Sequence, residues 1–215
     1  MKALVLFSSI LVVSIYATAQ TDSVYYHHGS FQSQYGSSGA TPTADFYRYV
    51  TRFTPPSYPA QLIGMKVWFR NAGNPSSFKW VIYKDSSGNA LGPQSSPDYM
   101  SPTAISNPAS GGVTDSSYSY FTDFTTENIM ISGGDVYAGV TQHPQINGFL
   151  GISIDTSNAF TQDRPWVFNG GWTRMINWAF IDGEWGITAY FSSIPNSVGK
   201  FEGPVFSIPV FPNPN

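Results

Sequence analysis

The sequence predicts an all-β protein, an antiparallel β-sandwich of jelly-roll or Greek-key type following an N-terminal signal peptide. Three observations carry that reading. Strong helix formers are thin: Leu4, Leu6 and Leu11 lie at the N-terminus and only Leu62, Leu91 and Leu150 follow, while β-branched and aromatic residues, Gly and Pro abound. Short apolar segments are separated by turn residues, and no window sustains a period of 3.6 over three turns. With 41% hydrophobic and 16% aromatic residues in 215, the chain has enough apolar volume for one buried core, which excludes wholesale disorder. Charged residues are 11% and the formal net charge is -3, so the basic footprint of a nucleic-acid binder is missing.

Residues 1–20 read as the signal peptide. Met1-Lys2 is a short basic start, Ala3 to Tyr16 an apolar run, and Ala17-Thr18-Ala19 the small-x-small pattern of a cleavage site. The run is shorter than the ~20 apolar residues of a membrane span, so no span is expected in the mature chain. Cysteine is absent, which removes disulfides, thiolate metal sites and a cysteine nucleophile, and leaves the core alone to hold the fold.

Residues 21–203 read as the sandwich domain. Phe46–Phe53 is β-forming throughout, with Arg48 and Arg52 on one face. From Leu62 to Arg70 the chain alternates: Met65, Val67 and Phe69 face one way, Lys66, Trp68 and Arg70 the other. Phe78–Lys84 is a strand closed by the turn signal Asp85-Ser86-Ser87-Gly88-Asn89. Further strands are expected at Tyr118–Phe124, Asp135–Gln142, Phe149–Ile154, Met175–Ile181 and Glu184–Phe191, with Asp182-Gly183 turning a tight hairpin between the last two. Gly92 to Asp115, rich in Pro, Ser and Gly, reads as a surface loop crossing the sandwich.

Catalytic signals are sparse. His27, His28 and His143 read as exposed polar loop residues, and adjacent strand positions such as 27 and 28 point to opposite faces. No serine stands in G-x-S-x-G. Glycosidase chemistry needs two carboxylates ~5–10 Å apart across a cleft, and Asp182 and Glu184 are explained by turn chemistry. No cofactor is expected, with calcium the one candidate: Asp155, Asn158 and Asp163 gather oxygen ligands in one loop, though without the spacing of a dedicated calcium loop. Aromatics are the richer signal. Trp166, Trp172, Trp178 and Trp185 crowd together, while Trp68 and Trp80 fall on neighbouring strands. Sugar-binding modules present aromatic faces to the apolar face of a pyranose. A leucine-poor core must also be filled by such rings, so most tryptophans are expected inside. Trp68, sharing a face with Lys66 and Arg70, and Trp172, after Gly170-Gly171 at a loop tip, are the candidate ligand-binding residues.

Residues 204–215 read as a Pro-rich tail. Its end, Val210-Phe211-Pro212-Asn213-Pro214-Asn215, resembles the opening of a type IX secretion C-terminal sorting domain, with Phe211, Pro212, Asn213 and Pro214 as the motif. The remainder of such a domain does not follow Asn215, so the sequence is expected to be a part of a longer one. The body resembles a β-sandwich accessory module of large secreted proteins of that system. Phe53-Thr54-Pro55-Pro56, Tyr58-Pro59-Ala60-Gln61-Leu62, Gly134-Asp135-Val136-Tyr137-Ala138-Gly139-Val140, Trp178 and Asp182 to Ala189 carry that likeness. The resemblance implies a secreted or cell-surface, non-catalytic module with a structural or adhesive role. Its implied partners are the secretion machinery, through the tail, and a surface glycan or protein. A carbohydrate-binding module is the alternative reading, and a hydrolase with a carboxylate pair that sequence does not reveal is the second.

Overall fold

The computed structural model describes residues 20–36, 45–70, 77–85, 92–107, 117–143, 150–157, 163–179 and 181–193. Residues 1–19 of the expected signal peptide, Asn158, and the tail with its Phe211-Pro212-Asn213-Pro214 motif lie outside them. In chain order the elements are β1 (Thr21–Tyr25), β2 (Ser33–Tyr35), β3 (Arg48–Phe53), β4 (Ala60–Arg70), β5 (Ser77–Lys84), β6 (Tyr99–Met100), β7 (Ile105–Ser106) and β8 (Ser117–Asp123). There follow β9 (Ile129–Ile131), β10 (Val136–His143), β11 (Ile152–Asp155), β12 (Pro165–Phe168), β13 (Trp172–Arg174), α1 (Met175–Ala179), β14 (Glu184–Trp185) and β15 (Ile187–Ser193).

These strands form two antiparallel sheets, as the alternation predicted. The first sheet runs β1-β15-β4-β11-β14, with β2 on β11 and β8 and β9 on β4; the second runs β13-β12-β3-β10-β5-β6, with β7 on β5. Their inner faces close on one core. Leu62, Met65, Val67 and Phe69 of β4 and Ile187, Ala189 and Phe191 of β15 meet Phe53, Phe78, Trp80, Ile82, Val136 and Val140 of the second sheet. The protein is thus an all-β sandwich, its core filled by aromatic rings where leucine is scarce.

The long strand β4 carries the alternation that the sequence shows, with one shift of phase. Leu62 is buried although its parity matches Lys66, because Phe191 pairs with Leu62 while Tyr190 pairs with Gly64. Ile63 is the extra residue, and this bulge puts Ile63 and Gly64 consecutively on the outer face.

Four expectations need correction. The strand predicted over Met175–Ile181 is instead the single turn α1. Met175 is buried in the core while Asn177 and Trp178 are exposed, and five residues are too few for helical spacing to differ from alternation. The Asp182-Gly183 hairpin therefore does not form: β14 pairs with β11, and Glu184 is a buried strand residue, not a turn residue. Trp68 and Trp80 stand on consecutive strands in opposite sheets, not on neighbours. Finally, residues 92–107 of the predicted surface loop include β6 and β7, which add to the edge of β5.

Candidate functional site

The outer face of the first sheet is built by four strands whose register is fixed by the buried inner face. One row across them is Tyr25 on β1, Thr188 on β15, Lys66 on β4 and Phe121 on β8. The next row is Ser23, Tyr190, Gly64 and Asp123. Three inter-strand gaps separate the ends of a row, roughly 14 Å. Phe121 leans diagonally over Gly64, where a Cβ would lie 2.8 Å from its Cζ, so any other residue there would push the ring off this position. Phe121 and Tyr190 then meet edge to face, 5.4 Å between centroids. Tyr25 is 56% and Phe121 52% exposed, large for rings that could have been buried.

Trp68 lies at the other end of Lys66, half-buried, and packs with Phe31 across Gly186, whose Cβ would stand 2.8 Å from Phe31 and 3.2 Å from Trp68. Its ring meets His27 at 4.6 Å and Phe31 at 5.6 Å between centroids, and the Lys66 ammonium lies over it at 4.6 Å. Ser23, Tyr25, His27, His28, Gly29, Lys66, Trp68, Thr188 and Tyr190 together line an open groove of about 280 Å³. A second hollow of about 270 Å³, lined by Thr21, Ile63, Phe121, Asp123, Thr125 and Tyr190, adjoins it across Tyr190.

His27 forms the groove floor and is only 6% exposed, contrary to its reading as an exposed loop residue. The Gly29 N–H donates to its Nδ1 at 3.2 Å, so Nδ1 is an acceptor and the ring proton sits on Nε2, 3.2 Å from Thr188 Oγ1. Burial pulls its pKa from 6.5 down to about 4, the opposing attraction of Asp155 being smaller. His27 is therefore a neutral, fully engaged imidazole at neutral pH.

The predicted site residues separate. Trp68 takes the outward position expected of it, as groove wall and floor. Trp172 is not at a loop tip: it opens β13, packs edge-on against Tyr83 and Phe168, and donates Nε1–H to the Gln94 carbonyl at 2.7 Å. Asp155 and Asp163 have separate partners. Asp155 accepts from the His28 N–H at 2.6 Å and from the Ser157 N–H and hydroxyl. Burial pushes its pKa up, but these bonds outweigh burial and hold it below the usual carboxylate value. Asp163 accepts from Arg52, which also pairs with Asp135. Among the described residues no three His, Asp or Glu side chains gather as a metal site. Asp155 and Glu184 do face each other in register across β11 and β14, yet each is 2% exposed and neither lines the groove.

No protein-family model matches the chain, and no curated protein matches it. Among solved structures the chain is similar to a variant of the clostridial cysteine protease Cwp84 after propeptide cleavage, with a TM-score of 0.52, 11% identity, 81% of this chain covered and 40% of that one. A second structure, of the cysteine protease and lectin-like domains of Cwp84, a surface layer associated protein of Clostridium difficile, gives a TM-score of 0.44 at 10% identity, covering 69% of this chain and 33% of that one. The chain thus spans well under half of the structures it resembles, and the likeness is one of fold. The nucleophile of a cysteine protease has no counterpart in a sequence without cysteine.

Tyr25, Phe121 and Tyr190 were missed as site residues. Short β-forming segments between turn residues marked the strands of Phe121 and Tyr190, but nothing local told which face would stay open. Tyr25 lies in Thr21–Tyr25, too polar a stretch to read as a strand before its partner β15 was known.

Proposed function

We propose that the protein is a secreted, non-catalytic β-sandwich module of the cell surface or medium, adhesive in role, and that the groove between Trp68 and Tyr190 is its carbohydrate-binding site. The observation that carries this reading is the set of rings on the open face of one sheet: Tyr25 and the part-exposed Tyr190 beside a trough floored by Thr188 and His27, with the exposed Phe121 on the adjoining hollow across Tyr190. Pyranose rings offer apolar C–H faces to such aromatics and hydroxyls to polar groups between them, and Ser23 and Thr188 supply the latter. The non-catalytic part is supported by the lining, which holds no carboxylate among the described residues, and by His27, whose two nitrogens are already engaged. The signal-peptide pattern and the Pro-Asn-Pro tail support secretion, by the type IX route.

A glycan array followed by calorimetry on the hits tests the site. Tyr25→Ala and Tyr190→Ala each remove a ring that lines the groove and are expected to weaken binding about tenfold, equivalent to ~1.4 kcal/mol, with an unchanged far-UV spectrum. Undiminished affinity in both variants would place the ligand elsewhere and sink the reading.

A further inference from the structure

The charge of the groove narrows its ligand, an inference that rests on the carbohydrate reading above. Lys66 stands at the centre of the open face, opposite Thr188 on one side and Phe121 on the other and two residues from Trp68. Its ammonium lies over the Trp68 ring and, among the described residues, makes no ion pair, whereas Arg52 pairs with Asp135 and Asp163 and Lys79 with Asp45. Among the described residues no Asp or Glu lines the groove with it; Asp123 belongs to the adjoining hollow beyond Tyr190. In a chain of net charge -3, an unneutralised lysine ringed by aromatic side chains concentrates positive potential where a ligand must lie. The rings also displace water from one side of the ammonium, which strengthens its attraction for an anion relative to an open surface. A neutral sugar stacking on Trp68 must displace the ammonium and offers it only uncharged hydroxyl acceptors, weaker than a carboxylate. A sugar bearing a carboxylate draws the ammonium off the ring and pairs with it, so the face is uncovered and the charge satisfied in one event.

We propose that the groove selects acidic glycans, with Lys66 Nζ taking a sugar carboxylate while the pyranose face lies against the aromatic wall. Lys66 is then the specificity-determining residue, and the tyrosines serve any sugar.

The test uses alginate, polygalacturonate, hyaluronan and polysialic acid, each beside its carboxyl methyl ester, with the full chain and with Lys66→Gln, Lys66→Arg, Tyr25→Ala and Tyr190→Ala. At least one acid form is expected to bind tenfold or more tighter than its ester, with affinity falling as salt rises. Lys66→Gln should erase that preference, Lys66→Arg should restore most of it, and the tyrosine variants should weaken both forms. If esters and acids bind alike, or Lys66→Gln changes nothing, Lys66 is only a cover for Trp68; the inference falls and the carbohydrate reading stands. If no acidic or neutral glycan binds, both fall. Polyglutamate binding that depends on Lys66 but not on the tyrosines would mark an acidic protein partner and overturn the sugar assignment.

Discussion

Both sheets carry aromatic rings on their outer faces, but the second sheet roofs its rings with its own chain and the first leaves them open. On β3, β5, β10 and β12, Val50, Val81, Tyr83, Tyr137 and Trp166 form a second buried cluster, with Met100 and Trp172 packed against it. Residues 92–98 lie over that cluster: Gly92 rests on the Trp166 indole, the Gln94 carbonyl accepts from Trp172, the Ser95 carbonyl from Arg48 at 3.0 Å, and the Asp98 N–H donates to Ile82 at 2.9 Å. Sealing is deep enough that burial pushes the Tyr83 hydroxyl up to about 12 despite the Arg48 guanidinium hydrogen-bonded to it. Over β1, β15, β4 and β8 Tyr25 and Phe121 stay half exposed. Aromatic content alone therefore does not distinguish core from site; the segment that crosses the face does. A roofed face contributes stability and an open one contributes contact area to a ligand.

The largest effect should come from breaking the roofed face. Trp166→Ala removes a 4%-exposed indole on which the loop rests, and should cost about 3–5 kcal/mol. A melting midpoint lower by roughly 10 °C is the expected readout, with glycan affinity per folded molecule unchanged. Lost affinity in the folded fraction would show the two faces to be coupled through the core.

Next in size is a pH effect confined to the open face. His27 is held neutral in the folded state, with its pKa at about 4 against 6.5 in the unfolded chain. Between those values the unfolded state binds more protons, so stability is complete above pH 6.5 and declines as pH falls to about 4, by up to roughly 3 kcal/mol. Urea unfolding at pH 7 and pH 4 measures it. His27→Gln, which cannot titrate, should flatten that part of the profile, and an equally steep profile in the variant would assign the loss to other groups.

The legible part of the fold was the part that alternates. β4 and β5 could be placed because their inward residues are uniformly large and apolar, and with them came the outward position of Trp68. The helical turn at Met175 was hidden because one turn buries a single residue. The Asp182-Gly183 hairpin misled because the dipeptide fits a turn locally, while tertiary pairing with β11 decides its fate. The groove itself was not legible. Tyr25 and Tyr190 lie 165 positions apart along the chain and Tyr190 and Phe121 69, and only the neighbouring rows Tyr25↔Thr188↔Lys66↔Phe121 and Ser23↔Tyr190↔Gly64 bring them together. Exposure was equally hidden, since whether residues 92–98 cross one face or the other depends on which strands they flank.

The smallest effect tests the contrast at its most ambiguous residue. Trp172 sits at the margin of the roofed cluster, half-buried, with its indole N–H tied to the Gln94 carbonyl. Trp172→Phe keeps a ring against Tyr83 and Phe168 and deletes that one bond at the solvent edge, so the expected cost is about 0.5–1 kcal/mol. Because the bond fastens the crossing segment, proteolysis within residues 92–98 should quicken while the core melts almost as before. Glycan affinity should not change, for this ring serves the roof. If Trp172→Phe instead weakens glycan binding as Tyr25→Ala does, the second sheet also meets ligand at its edge. The division between a self-covered face and a ligand-covered face would then have to be drawn through the second sheet rather than between the two.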